Sequence, residues 1–187
     1  MTVRTEDEAG PGAPGRHAGA GTGSPGRPAD VGSGTSAGAP AGTAADRLRG
    51  TRLAGQVQFL TARARSRGTG HANALLRREL ELKVSHFSVL SLAASGVDPT
   101  QRELSEFLDL DPSQVVTLVD ALEGRGLVER RTDPRDRRSR IIVATPEGRR
   151  VERRGNALTE ASDREVLARL SHAERDVLRD LLTRIAF

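Results

Sequence analysis

There is no cysteine anywhere in the 187 residues. That excludes disulfides, thiolate metal sites and thiol-based redox sensing together. Aromatic residues are nearly as scarce, with four phenylalanines and neither tryptophan nor tyrosine. Lysine occurs once, at Lys83, so the positive charge is almost all arginine. No stretch approaches the roughly 18 apolar residues of a membrane span, and the first residues lack the continuous apolar core of a secretory signal. A soluble, cytoplasmic protein with no membrane partner is expected. His17, His71, His86 and His172 share no metal-ligand spacing. Nor does any nucleophile–base pair, phosphate-binding glycine loop or set of paired carboxylates stand in context. The sequence therefore predicts no metal, no cofactor and no enzymatic activity.

What is abundant is unevenly placed. Residues 1–45 are dominated by Gly, Ala, Pro, Ser and Thr, with Met1, Val3 and Val31 as their only large apolar residues. Such a segment buries too little apolar surface to offset its ordering entropy and is expected to be a disordered tail. It holds three arginines against four acids, so the chain's net +4 leaves +5 on residues 46–187. Eleven arginines against five acids fall between 125 and 154. A folded part this basic, with its charge clustered, points to a polyanionic partner.

From residue 46 onward the pattern is helical at both ends around one strand-like interval. Val57, Leu60, Ala64, Leu75, Leu76 and Leu80 recur at roughly helical spacing, with Gly68-Thr69-Gly70 a predicted kink or break. Ser85 is placed to cap a short helix through Ala94 carrying Phe87, Leu90 and Ala94 on one face. Thr100 with Glu103 forms a capping-box pattern before Leu104, Phe107 and Leu108. Asp111-Pro112 reads as N-cap and first residue of the next helix, and Gly124 or Gly126 as its end. Leu127-Val128 and Ile141-Ile142-Val143 then suggest an antiparallel hairpin. Thr145-Pro146-Glu147 starts a helix running toward Leu170, and Ser171 with Glu174 opens a last helix carrying Val177, Leu178, Leu181, Leu182 and Ile185. The fold class is mainly α with a small β-hairpin. Two helices across a short turn followed by a hairpin describe a winged helix-turn-helix.

The second helix of that motif divides into faces. Val115, Leu118, Val119 and Leu122 follow the spacing of a packing face, which leaves Ser113, Gln114, Thr117 and Val116 exposed near the N-terminus. A recognition helix contacts base edges mainly with such residues. Gln can pair with adenine, Ser and Thr can bond bases or phosphates, and a valine methyl can meet that of thymine. In the hairpin loop TDPRDRRSR, Arg135, Arg137, Arg138 and Arg140 exceed what a turn requires. A loop of that size reaches the neighbouring minor groove, which attracts inserted arginine. Asp133 is expected to start the turn before Pro134, and Asp136 to pair with a neighbouring arginine and brace the loop.

The run from about 84 to 151 resembles the MarR family of winged-helix transcriptional regulators. The likeness rests on VSHFSVLSLAAS, on QRELSEFLDLDPSQVVTLVDALEGRGLVER and on TDPRDRRSRIIVATPEGRRV. The resemblance implies a homodimer in which helices over 57–81 and 146–187 form the interface, while residues 85–145 form a DNA-binding lobe. Two such lobes would read a pseudo-palindromic operator. It also implies that Ser113, Gln114 and Thr117 lie where the family reads the major groove, with Arg137 or Arg138 entering the minor groove and Asp136 as the motif's structural acid. Many members are repressors released by small, often phenolic or anionic, effectors bound between dimer core and reading lobe. Phe59, His86 and Phe87 are the candidates to line such a crevice, ordinary packing being the plainer reading of each. The sequence departs from the redox-sensing branch, which needs a cysteine, and carries Val116 where many members carry Thr. The expected function is a sequence-specific, ligand-responsive regulator binding double-stranded DNA. The alternatives are a non-specific basic architectural DNA-binding protein or a winged-helix protein-interaction module.

Overall fold

The computed structural model describes residues 43–187. The expectation of a disordered tail lies outside the described residues, except that residues 43–45 form the cap and first turn of a helix. That helix, α1 (Ala44–Arg49), is followed by a 3₁₀ turn (Arg52–Gly55) and then by α2 (Val57–Leu80). Next come α3 (Val84–Ala94), α4 (Gln101–Leu108) and α5 (Pro112–Gly124). Strands β1 (Val128–Thr132) and β2 (Arg140–Ala144) pair antiparallel, with Val128 opposite Ala144 and Thr132 opposite Arg140. Helices α6 (Pro146–Val166) and α7 (His172–Ala186) complete the chain.

Local capping sets most of these boundaries. The Thr100 hydroxyl accepts from the Glu103 backbone N–H while the Glu103 carboxylate accepts from that of Thr100, and Ser171 and Glu174 repeat the arrangement at α7. Thr145 caps α6 by accepting from the Gly148 N–H at 3.0 Å. Helix α5 ends at Gly124, with Gly126 taking the positive φ of 67° that the turn into β1 requires.

Three local expectations give way to tertiary contacts. Helix α2 is continuous through Gly68-Thr69-Gly70. The cost of two interior glycines, about 1 kcal/mol each, is offset by packing along α6. Just past them, His71 meets the Ser162 hydroxyl at 2.9 Å and Glu165 at 3.1 Å. Helix α3 starts at Val84 with Lys83 at its N-cap, and Ser85 does not cap it. The Asn73 side chain on α2 takes the free Val84 N–H at 2.8 Å instead. Helix α6 stops at Val166, short of Leu170, because Arg175 reaches back from α7 to the carbonyls of Leu167 and Leu170.

The core unites Leu76 and Leu80 of α2, Phe87, Val89 and Leu90 of α3, Leu104 of α4, and Val115, Val119 and Leu122 of α5 with Leu127, Val128 and Ile142 of the hairpin. Helix α6 approaches through Gly148, Gly155 and Ser162, buried residues spaced seven apart. A Cβ on Gly155 would lie 2.1 Å from the Phe87 ring, and one on Gly148 only 1.9 Å from the Leu127 carbonyl oxygen. The helix therefore packs with its bare backbone. Of the α4 residues assigned to a packing face, Leu104 is buried but Phe107 is 58% exposed. The neighbouring inward position is Ser105, whose hydroxyl donates to the Leu110 carbonyl at 2.6 Å and tightens the turn into α5.

Candidate nucleic-acid interface

Helix α5 presents the face its sequence predicts. Val115, Val119 and Leu122 are buried, Leu118 is half-buried, and Ser113, Gln114, Val116 and Thr117 are exposed. The Gln114 side-chain oxygen accepts from the Asp111 N–H at 3.2 Å, which leaves its NH₂ group outward as a pair of donors. The Thr117 hydroxyl donates to the Ser113 carbonyl at 3.0 Å and keeps its acceptor capacity. No side-chain hydrogen bond occupies Ser113 among the described residues.

The hairpin is fastened to this helix from one side and to α4 from the other. Arg130 of β1 pairs with Asp120 and Glu123 of α5, and its backbone N–H donates to Glu123 at 3.1 Å. The Ile142 N–H donates to the Pro99 carbonyl at 2.8 Å, and Thr100 bridges to Ile141. The loop therefore projects from a rigid base at a fixed angle to α5. Sequence reasoning did not single out Arg130, because only the fold brings residues 120, 123 and 130 together.

Within the loop the arginines divide by role. The Asp133 carboxylate is buried and accepts from the Arg135 backbone N–H at 2.8 Å, its Nε at 3.0 Å and its Nη2 at 3.1 Å. The Arg135 guanidinium and N–H hold that carboxyl below its ordinary pKa. Arg140 donates to the Thr132 hydroxyl across the strand pair at 2.9 Å. Asp136 does not pair with an arginine side chain, as expected of it. It accepts from the Arg138 backbone N–H at 3.0 Å and the Ser139 hydroxyl at 2.9 Å, because the tight bend turns those donors inward. The ion-paired brace is Asp133 instead. Arg137 and Arg138 remain exposed, and among the described residues their guanidinium groups form no hydrogen bond or ion pair. They are the wing's free cations.

The three crevice candidates are not brought together within the chain. Asn73, beside the start of α3, lies 14 residues along α2 from Phe59, a rise of about 21 Å. Phe87 is buried against Gly155. His86 is half-buried, and its Nδ1 is buried without a partner. Burial, with Lys83 and Arg125 nearby, holds its pKa below the ordinary histidine value. Among the described residues no cluster of His, Asp and Glu could hold a metal ion, and no helix is long and apolar enough to cross a membrane.

The MarR family model matches residues 82–139, from the turn before α3 through the wing loop. A MarR-family transcriptional regulator from Rhodococcus sp. RHA1 is 37% identical with a TM-score of 0.65, over 70% of this chain and 93% of that one. The chain belongs to the MarR family of transcriptional regulators. Its helical body and two-stranded wing are the MarR-like winged-helix fold. CouR from Rhodococcus jostii RHA1, solved bound to p-coumaroyl-CoA, is 38% identical with a TM-score of 0.66, over 72% of this chain and 94% of CouR. A putative transcriptional regulatory protein for the hcr operon of Thauera aromatica is 35% identical over 99 residues, 53% of this chain. That match spans 60% of the Thauera protein's length.

Proposed function

We propose that this MarR-family protein is a sequence-specific DNA-binding repressor that works as a homodimer in the cytoplasm and is released by a small effector. The observation that carries the reading is the pairing of an uncommitted face on α5, formed by Ser113, Gln114, Val116 and Thr117, with the unpaired guanidinium groups of Arg137 and Arg138 at the wing tip. The first would read bases in the major groove and the second would enter the adjacent minor groove. Arg135 and Arg140 serve the wing's shape first and the phosphate backbone second.

Dimerisation is supported by what one copy leaves uncovered. Leu48, Leu53, Val57 and Leu60 near the beginning of the fold are each about half exposed or more, as are Val177, Leu181, Leu182 and Ile185 on α7. Helix α7 buries no residue of its own. A second copy related by two-fold symmetry covers such faces and sets two α5 helices about 34–36 Å apart, one turn of DNA.

The effector reading rests on CouR, whose ligand is an aromatic acyl thioester of coenzyme A. For this chain we infer an aromatic acid or its thioester, bound between the α2–α6 body and the reading lobe. His86 lies at that junction with its Nδ1 buried, while Phe87 packs on Gly155 and Phe59 stands farther along α2, so the three do not line one crevice within a single copy.

Binding of the protein to DNA from beside its own gene, against random DNA at physiological salt, tests the proposal. A preference of about 10³-fold or more is expected. Equal affinities with a steep salt dependence would mark an architectural DNA-binding protein instead. Absence of binding to either would mark a protein-interaction module.

A further inference from the structure

An open groove of about 600 Å³ runs between the end of α3 and α4, walled by Leu92, Val97, Pro99, Leu104 and Phe107. Its surface is almost wholly apolar. The two carboxylates beside it are already engaged, Glu103 with Thr100 and Glu106 with Arg102. Nothing there is free to hold a charged ligand, so the groove calls for an apolar occupant. Val97 is 72% exposed and Phe107 58% exposed, so the groove stands open.

The candidate nearest to it belongs to α7. The Phe187 ring stacks on Phe107 at the groove's rim, with ring centroids 5.6 Å apart and planes 25° from parallel. The Phe187 N–H donates to the Thr183 carbonyl at 3.0 Å, so Phe187 continues the helical path. At about 100° per residue, Phe187 points roughly 150° away from the centre of the stripe formed by Val177, Leu178, Leu181, Leu182 and Ile185. The stripe faces one way, toward the proposed second copy, and the ring faces another. The same helix can serve both contacts without competition.

We propose that Phe187, at the end of α7 and itself 87% exposed, latches onto Phe107 at the groove's rim and fastens this arm to the reading head. Helix α4 packs on α5 through Leu104, Val115 and Val119, so the latch fixes the angle of the recognition helix to the arm. That consequence for DNA rests on the function proposed above. The contact itself does not.

Proton NMR tests the contact directly, because four phenylalanines, with no tyrosine or tryptophan, leave the aromatic region sparsely filled. The full chain should give ring-to-ring Overhauser contacts between Phe107 and Phe187. Phe187→Ala should remove them and shift the Phe107 ring signals. No such contact, or Phe107 ring signals unmoved by the substitution, would overturn the latch. Isotope-filtered contacts between labelled and unlabelled copies would also overturn it, by assigning the groove to the partner's α7. The consequence is tested on operator DNA. Phe187→Ala should lower affinity about two- to tenfold, the worth of one aromatic pair, with sedimentation still reporting a dimer. Unchanged affinity with the ring contact present in the wild type would overturn the coupling. A wild type that shows the ring contact but prefers no DNA would sink the proposed function and leave the latch standing.

Discussion

Arg135 folds back onto Asp133, its Nε and Nη2 donating to the two carboxylate oxygens at 3.0 and 3.1 Å. The pair converts one of the wing's surplus arginines into a brace and leaves Arg137 and Arg138 to meet DNA. Substituting different arginines should therefore have different consequences. Arg137→Ala with Arg138→Ala should weaken operator binding and, with two wings in the dimer, lower the salt slope by up to about four, with the melting temperature unchanged. Arg135→Ala should weaken binding by loosening the loop, visible as faster amide exchange over residues 133–139. Unchanged operator affinity in the Arg137/Arg138 double variant would remove those residues from the interface.

The same pair makes the wing's order depend on pH. Side-chain and backbone donation from Arg135 hold the Asp133 carboxyl below its ordinary value of 3.8. A carboxyl depressed in the folded state contributes stability that is complete above its unfolded pKa and is lost as pH falls through the folded value. The chemical shifts of the wing loop should therefore persist below pH 3.8 and change only at lower pH. In Arg135→Ala the change should move up toward the ordinary value. A wild-type midpoint at or above that value would show that the pair does not form in solution.

The backbone-to-ring and backbone-to-backbone contacts of α6 should tolerate no added methyl. Gly155→Ala places its Cβ into the Phe87 ring, and Gly148→Ala places one against the Leu127 carbonyl oxygen. Each should cost about 1–3 kcal/mol as overpacking does, with Gly148→Ala the worse because backbone yields less than a ring. Thermal unfolding followed by circular dichroism measures both. Two variants as stable as the wild type would contradict the close approach of α6.

The apolar stripe on α7 gives the oligomer a simple test. Leu181 is 47% exposed and Ile185 75% exposed in one copy. Leu181→Glu with Ile185→Glu should shift sedimentation from dimer to monomer and abolish operator binding, because one lobe retains only half of the contacts. A wild type that sediments as a monomer at micromolar concentration would refute the dimer outright.

The legible parts of this fold obey short-range rules. Thr100/Glu103, Asp111-Pro112, Thr145-Pro146 and Ser171/Glu174 each mark a helix start within four residues, and the period change at Leu127 marks the hairpin. The exposed face of α5 followed from its packing face by elimination. What escaped the sequence depends on partners far along the chain. Asn73 capping α3 replaces Ser85, α6 carries α2 straight through its glycines, and Arg130 ties β1 to α5. The loop aspartates show the limit most closely. Asp133 and Asp136 both stand two residues before an arginine, and only the hairpin register, which buries Asp133, decides which one forms the ion pair. Phe107 sits at a spacing that reads as core but is exposed and stacks on Phe187 at the rim of an open groove.

The central claim is that a dimer of this chain reads one DNA sequence with α5 and the wing. Footprinting the purified protein on the DNA beside its own gene tests it most directly. The account predicts a discrete protected site with two-fold symmetry and half-sites about 10 base pairs apart, lost in the Arg137/Arg138 double variant. Protection spread evenly along the fragment, or none at concentrations where the protein is dimeric, would contradict it.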